Sequence, residues 1–147
     1  MYKRILVATD GSDLSTKAIN SAIELAALCD AELVAVAVVP RYAQSYFEGG
    51  VALPADEVRR VEGQWADEGQ AIVDSVKTIA LASGVPTTAL TIQSDVVSDA
   101  LIAAATKHQC DLIVMASHGR KGIKRLLLGS ETQHVLTHGT IPVLVLK

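Results

Sequence analysis

Two stretches of this chain carry residue types suited to holding an anion. One is Ala8-Thr9-Asp10-Gly11-Ser12, a turn that follows an aliphatic run. The other is Met115 to Gln133, MASHGRKGIKRLLLGSETQ, which joins Gly119, Gly122 and a Gly129-Ser130 pair to the cations Arg120, Lys121, Lys124 and Arg125. Glycines let backbone N–H groups approach a phosphate closely, and a helix N-terminus adds partial positive charge. The same residues admit a plainer reading. Ser130-Glu131-Thr132-Gln133 also matches a capping box, in which Ser130 bonds a helix N–H and Gln133 bonds back. The glycines would then only turn the chain, and the cations would be solvated. A P-loop is excluded, because no Gly-Lys-Ser/Thr follows a first glycine at the required spacing. The dinucleotide pattern GxGxxG is absent from the first strand–helix turn.

Other constellations favour structure over chemistry. His134 and His138 stand four apart on a helix, the spacing of two zinc ligands, but Val135 occupies the place of a metalloprotease glutamate. A surface pair in a helix's last turn, where the dipole favours a cation, is the preferred reading. His118 has the chemistry of an acid or base beside a phosphate, and equally that of a loop residue that packs or hydrogen-bonds. Asp95 and Asp99, at a helix start, read as capping and dipole charges. Cys29 and Cys110 form no CxxC and read as small buried hydrophobes in a reducing compartment.

The elements that must position these residues follow from composition and periodicity. The 147 residues make one domain, 50% apolar with only 3% aromatics, so Ala, Val, Leu and Ile must build the core. A net charge of −3 disfavours nucleic acid as a partner. Charges interrupt every apolar run well before the ~18 residues of a membrane span, and Met1 to Ser12 is too short for a secretory signal. A soluble, unexported chain is expected. Lys3–Thr9, Glu32–Val39, Thr87–Gln93, Asp111–Ala116 and Ile141–Leu146 read as strands. The unbroken aliphatic run of the second suggests burial on both faces. Helices are expected through Cys29 after a Ser12 or Asp13 cap, over Ala55–Ala82, over Val96–His108 and over Ser130–His138. The first should bury Ala18, Ala22, Leu25 and Ala26. The second repeats Val58, Trp65, Ile72 and Ile79 every seven positions, with Val61 and Val76 between, as a helix covering a sheet does. Alternating strands and helices predict an α/β fold, a doubly wound parallel sheet of five strands with four helices. Ligands of such sheets bind beyond the strands' carboxyl ends, where the winding reverses.

With the elements placed, the chain resembles the universal stress proteins from Tyr2 to Lys147. MYKRILVATDGS is similar to that family's opening strand and turn, DLIVMASHG to its fourth strand and GTIPVLVLK to its closing strand. The family's nucleotide-binding motif, G-x2-G-x9-G-S/T, is matched by Ala116, Gly119, Gly129 and Ser130 with both spacings intact. Ala116 replaces the first glycine, and its methyl group would crowd a nucleotide slightly. Glu131 stands where an apolar residue is common, and its carboxylate is expected to point outward. Ser94 replaces a frequent glycine after the third strand.

The resemblance implies a Rossmann-like strand order of 3-2-1-4-5 and a cytoplasmic homodimer that binds ATP with a divalent cation, Mg or Mn. Ala8, Thr9 and Asp10 would border the nucleotide, with Asp10 near the ribose or the metal ion. Val38 would meet adenine. Met115, Ala116, His118, Gly119 and Arg120 would line the sugar and phosphate path, Gly129 and Ser130 would hold phosphate oxygens, and Glu131 would border them. The last strand, Ile141–Leu146, would then lie at the sheet edge, where open hydrogen-bonding groups invite a second copy. The expected function is that of a nucleotide-responsive regulator or sensor in stress response, and not a fast enzyme. A slow metal-dependent ATPase and a nucleotide-free interaction protein are the alternatives.

Overall fold

The computed structural model describes residues 1–42, 53–118 and 128–147. Within them, strands β1 (Arg4–Ala8), β2 (Glu32–Val39), β3 (Thr87–Gln93), β4 (Leu112–Ala116) and β5 (Val143–Leu146) alternate with helices α1 (Asp13–Cys29), α2 (Ala55–Ala82), α3 (Val97–Lys107) and α4 (Ser130–His138). All strand pairs are parallel, in the order β3-β2-β1-β4-β5. This is the expected doubly wound sheet. Six element ends move inward from the expected bounds: both ends of β1, the starts of β4 and β5, and both ends of α3. Asp111 precedes β4 because its carboxylate accepts the N–H groups of Lys3 (2.9 Å) and Arg4 (3.2 Å), fastening the entries of β1 and β4 together. β5 begins after Pro142, which has no N–H to donate and offers its carbonyl to Ile113 N–H (2.9 Å). Val96 and His108 are the caps of α3 rather than its first and last residues.

Period-two alternation divides the core into two halves. Ile5, Val7, Leu33, Ala35, Leu112 and Val114 face α1 and α2, while Leu6, Val34, Val36, Ile113 and Met115 face α3 and α4. The central strands are buried on both sides, so their sequences show no polar alternation. Helix α1 buries Ala18, Ala22 and Ala26 as expected, together with Ile19 and Ile23, while Leu25 packs at the margin. Cys110 is buried, and burial pushes its thiol up to about 11, with Arg4 opposing and Asp111 adding to the shift. Cys29 is half-buried.

Helix α2 covers the sheet as expected, with Val76 buried, but its buried stripe is shifted from its seven-residue repeat. Val58, Trp65 and Ile72 are only half-buried and Ile79 is 51% exposed, whereas Gly69, Val73, Val76 and Ala80 are buried. The cause is close approach. A Cβ on Gly69 would lie 2.9 Å from Val39 Cγ1 and 3.0 Å from Thr91 Cγ2, so this glycine is where helix and sheet nearly touch. Gly63 meets nothing within 4 Å. The two glycines should therefore respond oppositely to a side chain. Gly63→Ala is expected to stabilise the fold by about 0.5–1 kcal/mol through helix propensity. Gly69→Val should cost about 1–3 kcal/mol through overpacking. Urea unfolding checks both, and a Gly69→Val protein as stable as the parent would mean that α2 rides higher on the sheet than described.

Candidate functional site

The winding reverses between β1 and β4, which lie side by side and send their helices to opposite faces of the sheet. The carboxyl ends of β2, β1 and β4 form the rim there, and two helices, α1 and α4, start beside it. These two helix starts are built differently.

At the end of β1, Thr9 is buried and extends the ladder through its N–H to Val36 O (3.0 Å). Its hydroxyl lies 3.1 Å from Ser15 Oγ and accepts Gly11 N–H (3.2 Å). Asp10 Oδ1 accepts Ser12 N–H (2.9 Å), closing a turn that Gly11 completes with φ +79°. Ser12 then caps α1 by accepting Ser15 N–H (3.2 Å), as the sequence suggests. The start of α1 is thus closed by its own side chains.

The start of α4 has no such closure. Its N-cap is Gly129, with no side-chain capping bond, and the first helical bond runs from Gln133 N–H to Gly129 O (3.0 Å). The capping box that the plainer reading put at Ser130 is therefore not formed. Ser130 is the first helical residue, and Gln133 donates Nε2–H to Leu128 O (2.8 Å) instead. A glycine suits the cap because the approach is close: a Cβ would sit 3.1 Å from Ser117 O and 3.3 Å from His118 Cα, tighter than an ordinary contact. Its amide donates to Ser117 O (2.7 Å), so this one N–H of the expected anion site is directed back at the strand. The buried Thr132 adds a second fastening, donating its hydroxyl to Ala116 O (3.0 Å), with Ser117 O at 3.3 Å. Sequence reasoning did not single out Thr132. Its only signal was a hydroxyl one turn into a helix that follows a Gly-Ser pair.

Of the sequence-chosen residues, Ala8, Thr9, Asp10, Val38, Met115, Ala116, His118, Gly129, Ser130 and Glu131 come together around this rim and the start of α4. Ala8, Val38 and Met115 share the α3–α4 face of the sheet, giving three adjacent strand ends an apolar ledge. His118 Nδ1 is buried without a hydrogen-bond partner among the described residues. Gly119 and Arg120, with Lys121, Lys124 and Arg125, lie outside the described residues. Glu131 turns its carboxylate to α3, where Oε2 accepts Ser98 N–H (2.8 Å).

That bond takes the capping role expected of Asp95 and Asp99, while Asp99 keeps the expected place of a charge in the first turn of α3. Neither Asp95 nor Asp99 caps α3: Asp95 Oδ1 accepts Arg41 N–H (3.2 Å), and Asp99 Oδ1 lies 2.9 Å from His134 Nε2. Ser94 Oγ accepts Val96 N–H (3.1 Å) in the loop that leads into α3. His134 and His138 stack with ring centroids 3.9 Å apart, and His138 Nδ1 lies 3.2 Å from His134 O. Among the described residues, no group of three or more His, Cys, Asp or Glu side chains could hold a metal ion. A divalent ion at this rim would take Asp10 together with oxygens of its ligand, the mode that suits a hard cation at a phosphate.

The anchoring of α4 generates a direct test. Thr132→Val keeps the shape and removes the donor, leaving buried carbonyl oxygens under-satisfied at a cost of about 1–3 kcal/mol. Chemical denaturation should show that loss, and an unchanged midpoint would mean α4 is held by other contacts.

Comparison with known proteins places this geometry. A family model described as the universal stress protein family matches residues 1–147. A universal stress protein of Methanocaldococcus jannaschii is 37% identical over 154 residues, covering 100% of this chain and 83% of its own. The universal stress protein YxiE of Bacillus subtilis is 33% identical over 150 residues, covering all of both chains. A universal stress protein solved in complex with cAMP superposes with a TM-score of 0.70 at 27% identity, over 99% of this chain and 97% of its own.

Proposed function

The chain belongs to the universal stress protein family, and from that premise we propose that it is an adenine-nucleotide-binding regulator that takes ATP at the rim between β1 and β4. The observation that carries this reading is the start of α4, a helix N-terminus at the winding reversal that no side chain caps among the described residues. The N–H groups of Ser130, Glu131 and Thr132 precede the first helical bond, and such a turn favours a phosphate electrostatically. The solved relative that holds cAMP supports an adenine nucleotide as the guest.

Each residue then has a part. Val38, with Ala8 and Met115 on the same face, offers adenine an apolar ledge. Asp10 accepts from the ribose hydroxyls or holds a divalent cation shared with the phosphates. Ala116, Gly119 and Gly129 keep the chain slim where sugar and phosphates pass, and Ser130 donates to phosphate oxygens. Arg120 adds charge, and His118 Nδ1 gains a partner from the guest. The cation, when bound, neutralises phosphate charge.

The protein works as a cytoplasmic homodimer in which nucleotide occupancy is the signal; no helix among the described residues is long and apolar enough to cross a membrane. Among the described residues β5 ends the sheet, pairs only with β4 and leaves Leu144 38% exposed, as an edge awaiting a second copy would. Sedimentation at micromolar concentration should give twice the chain mass, and Leu144→Lys should return it to the monomer. A monomeric parent protein removes the interface.

Calorimetry with ATP, ADP, AMP and cAMP tests the site. The parent should bind, and Gly119→Val, which puts a branched side chain in the phosphate path, should lose at least about tenfold in affinity, or ~1.4 kcal/mol, with its unfolding midpoint unchanged. Equal affinity in that variant would overturn the assignment. Single-turnover release of γ-phosphate no faster than in buffer is the result expected of a binding protein rather than a slow ATPase.

A further inference from the structure

We infer that Glu131 is a positioning residue, which clasps the start of α4 to the start of α3 and so sets where the phosphate-binding turn lies. The inference rests on the nucleotide reading above and adds a part that reading does not contain. Helix α3 has no cap of its own, because its N-cap residue is Val96, which makes no side-chain capping bond. The missing acceptor arrives from another helix: Glu131 Oε2 accepts the N–H of the buried Ser98 at 2.8 Å. One turn further along α4, His134 Nε2 lies 2.9 Å from Asp99 Oδ1, so the same face of α4 grips two successive residues of α3. On its other side α4 is fixed to β4 by Gly129 and Thr132.

A carboxylate in the first turn of α4 would repel phosphate if it faced the guest. The bond to Ser98 draws it toward α3, where the positive end of a second helix dipole receives it. Among the described residues no group bonds the first-turn amides of α4 ahead of Gln133, and their position is tied to α3.

The test compares E131A with E131Q, which keeps an acceptor oxygen and loses the charge, using ATP and adenosine as probes. E131A should bind ATP roughly three- to tenfold more weakly, the loss of about one hydrogen bond's worth of ordering, with adenosine affinity unchanged. E131Q should restore ATP binding. Tighter ATP binding in both variants would show the carboxylate acting as a repulsive charge and would overturn the proposal. Equal weakening of ATP and adenosine would reduce Glu131 to a merely structural residue and would also overturn it. Amide hydrogen exchange supplies an arm that needs no ligand: E131A should speed exchange at Ser98 and across the first turn of α4, and E131Q should reverse this. Unchanged exchange removes the clasp. A parent protein that binds no nucleotide, but shows that exchange pattern, would sink the nucleotide reading and leave the clasp standing.

Discussion

The arrangement at the rim depends on how two carbonyl groups at the end of β4 are satisfied. Where a parallel strand stops, its last carbonyls leave the ladder, and inside a protein they must find donors. Ala116 O and Ser117 O find them in one place, the Thr132 hydroxyl and the Gly129 amide. Those bonds require the chain to return to within contact distance of the strand it has just left. A residue without a Cβ suits position 129, since a methyl group there would press on Ser117 O and His118 Cα. The place of the first turn of α4 beside the strand end follows from this contact.

The sheet supplies the rest by subtraction of bulk. Its inward side chains are almost all aliphatic, and α1 meets it through Ala18, Ala22 and Ala26, which let helix and strands lie close. Gly69 does the same for α2. With both faces of β1 and β4 filled, a guest has access to the switch point only from the strand ends. This is why the candidate site consists of strand-terminal residues and a helix start rather than of core side chains.

How much of this was legible in the sequence depended on whether the determining interaction was local. The bounds of β2, β3, α2 and α4 could be read because unbroken aliphatic runs, Pro40, Ser83-Gly84 and Gly139 mark them within a few residues. Ser12 could be read as a cap for the same reason. The strand order came with the family resemblance and not from periodicity. What stayed hidden was set by distant partners. The buried stripe of α2 runs through Gly69 and Ala80, small residues that carry little hydrophobic signal, while the larger Ile79 faces solvent. Ser130 looked like a cap because its side chain is suitable, yet the steric demand at Gly129 comes from β4. The cap of α3 lies 33 residues away in sequence, beyond the reach of any local pattern.

The four helix starts then differ in how their positive ends are answered, and the differences are written in side chains. Helix α1 is answered by the Ser12 hydroxyl and carries Asp13 in its first turn. Helix α2 follows Pro54 and carries Asp56 and Glu57 in its first turn. Helix α3 receives the Glu131 carboxylate in addition to its own Asp99. Helix α4 has a glycine cap and one acidic residue, and that residue is committed to its neighbour. Helices α2, α3 and α4 all lack a capping bond from their own N-cap side chain, and α4 is the one of these that starts at the winding reversal, with its first turn held to the end of β4.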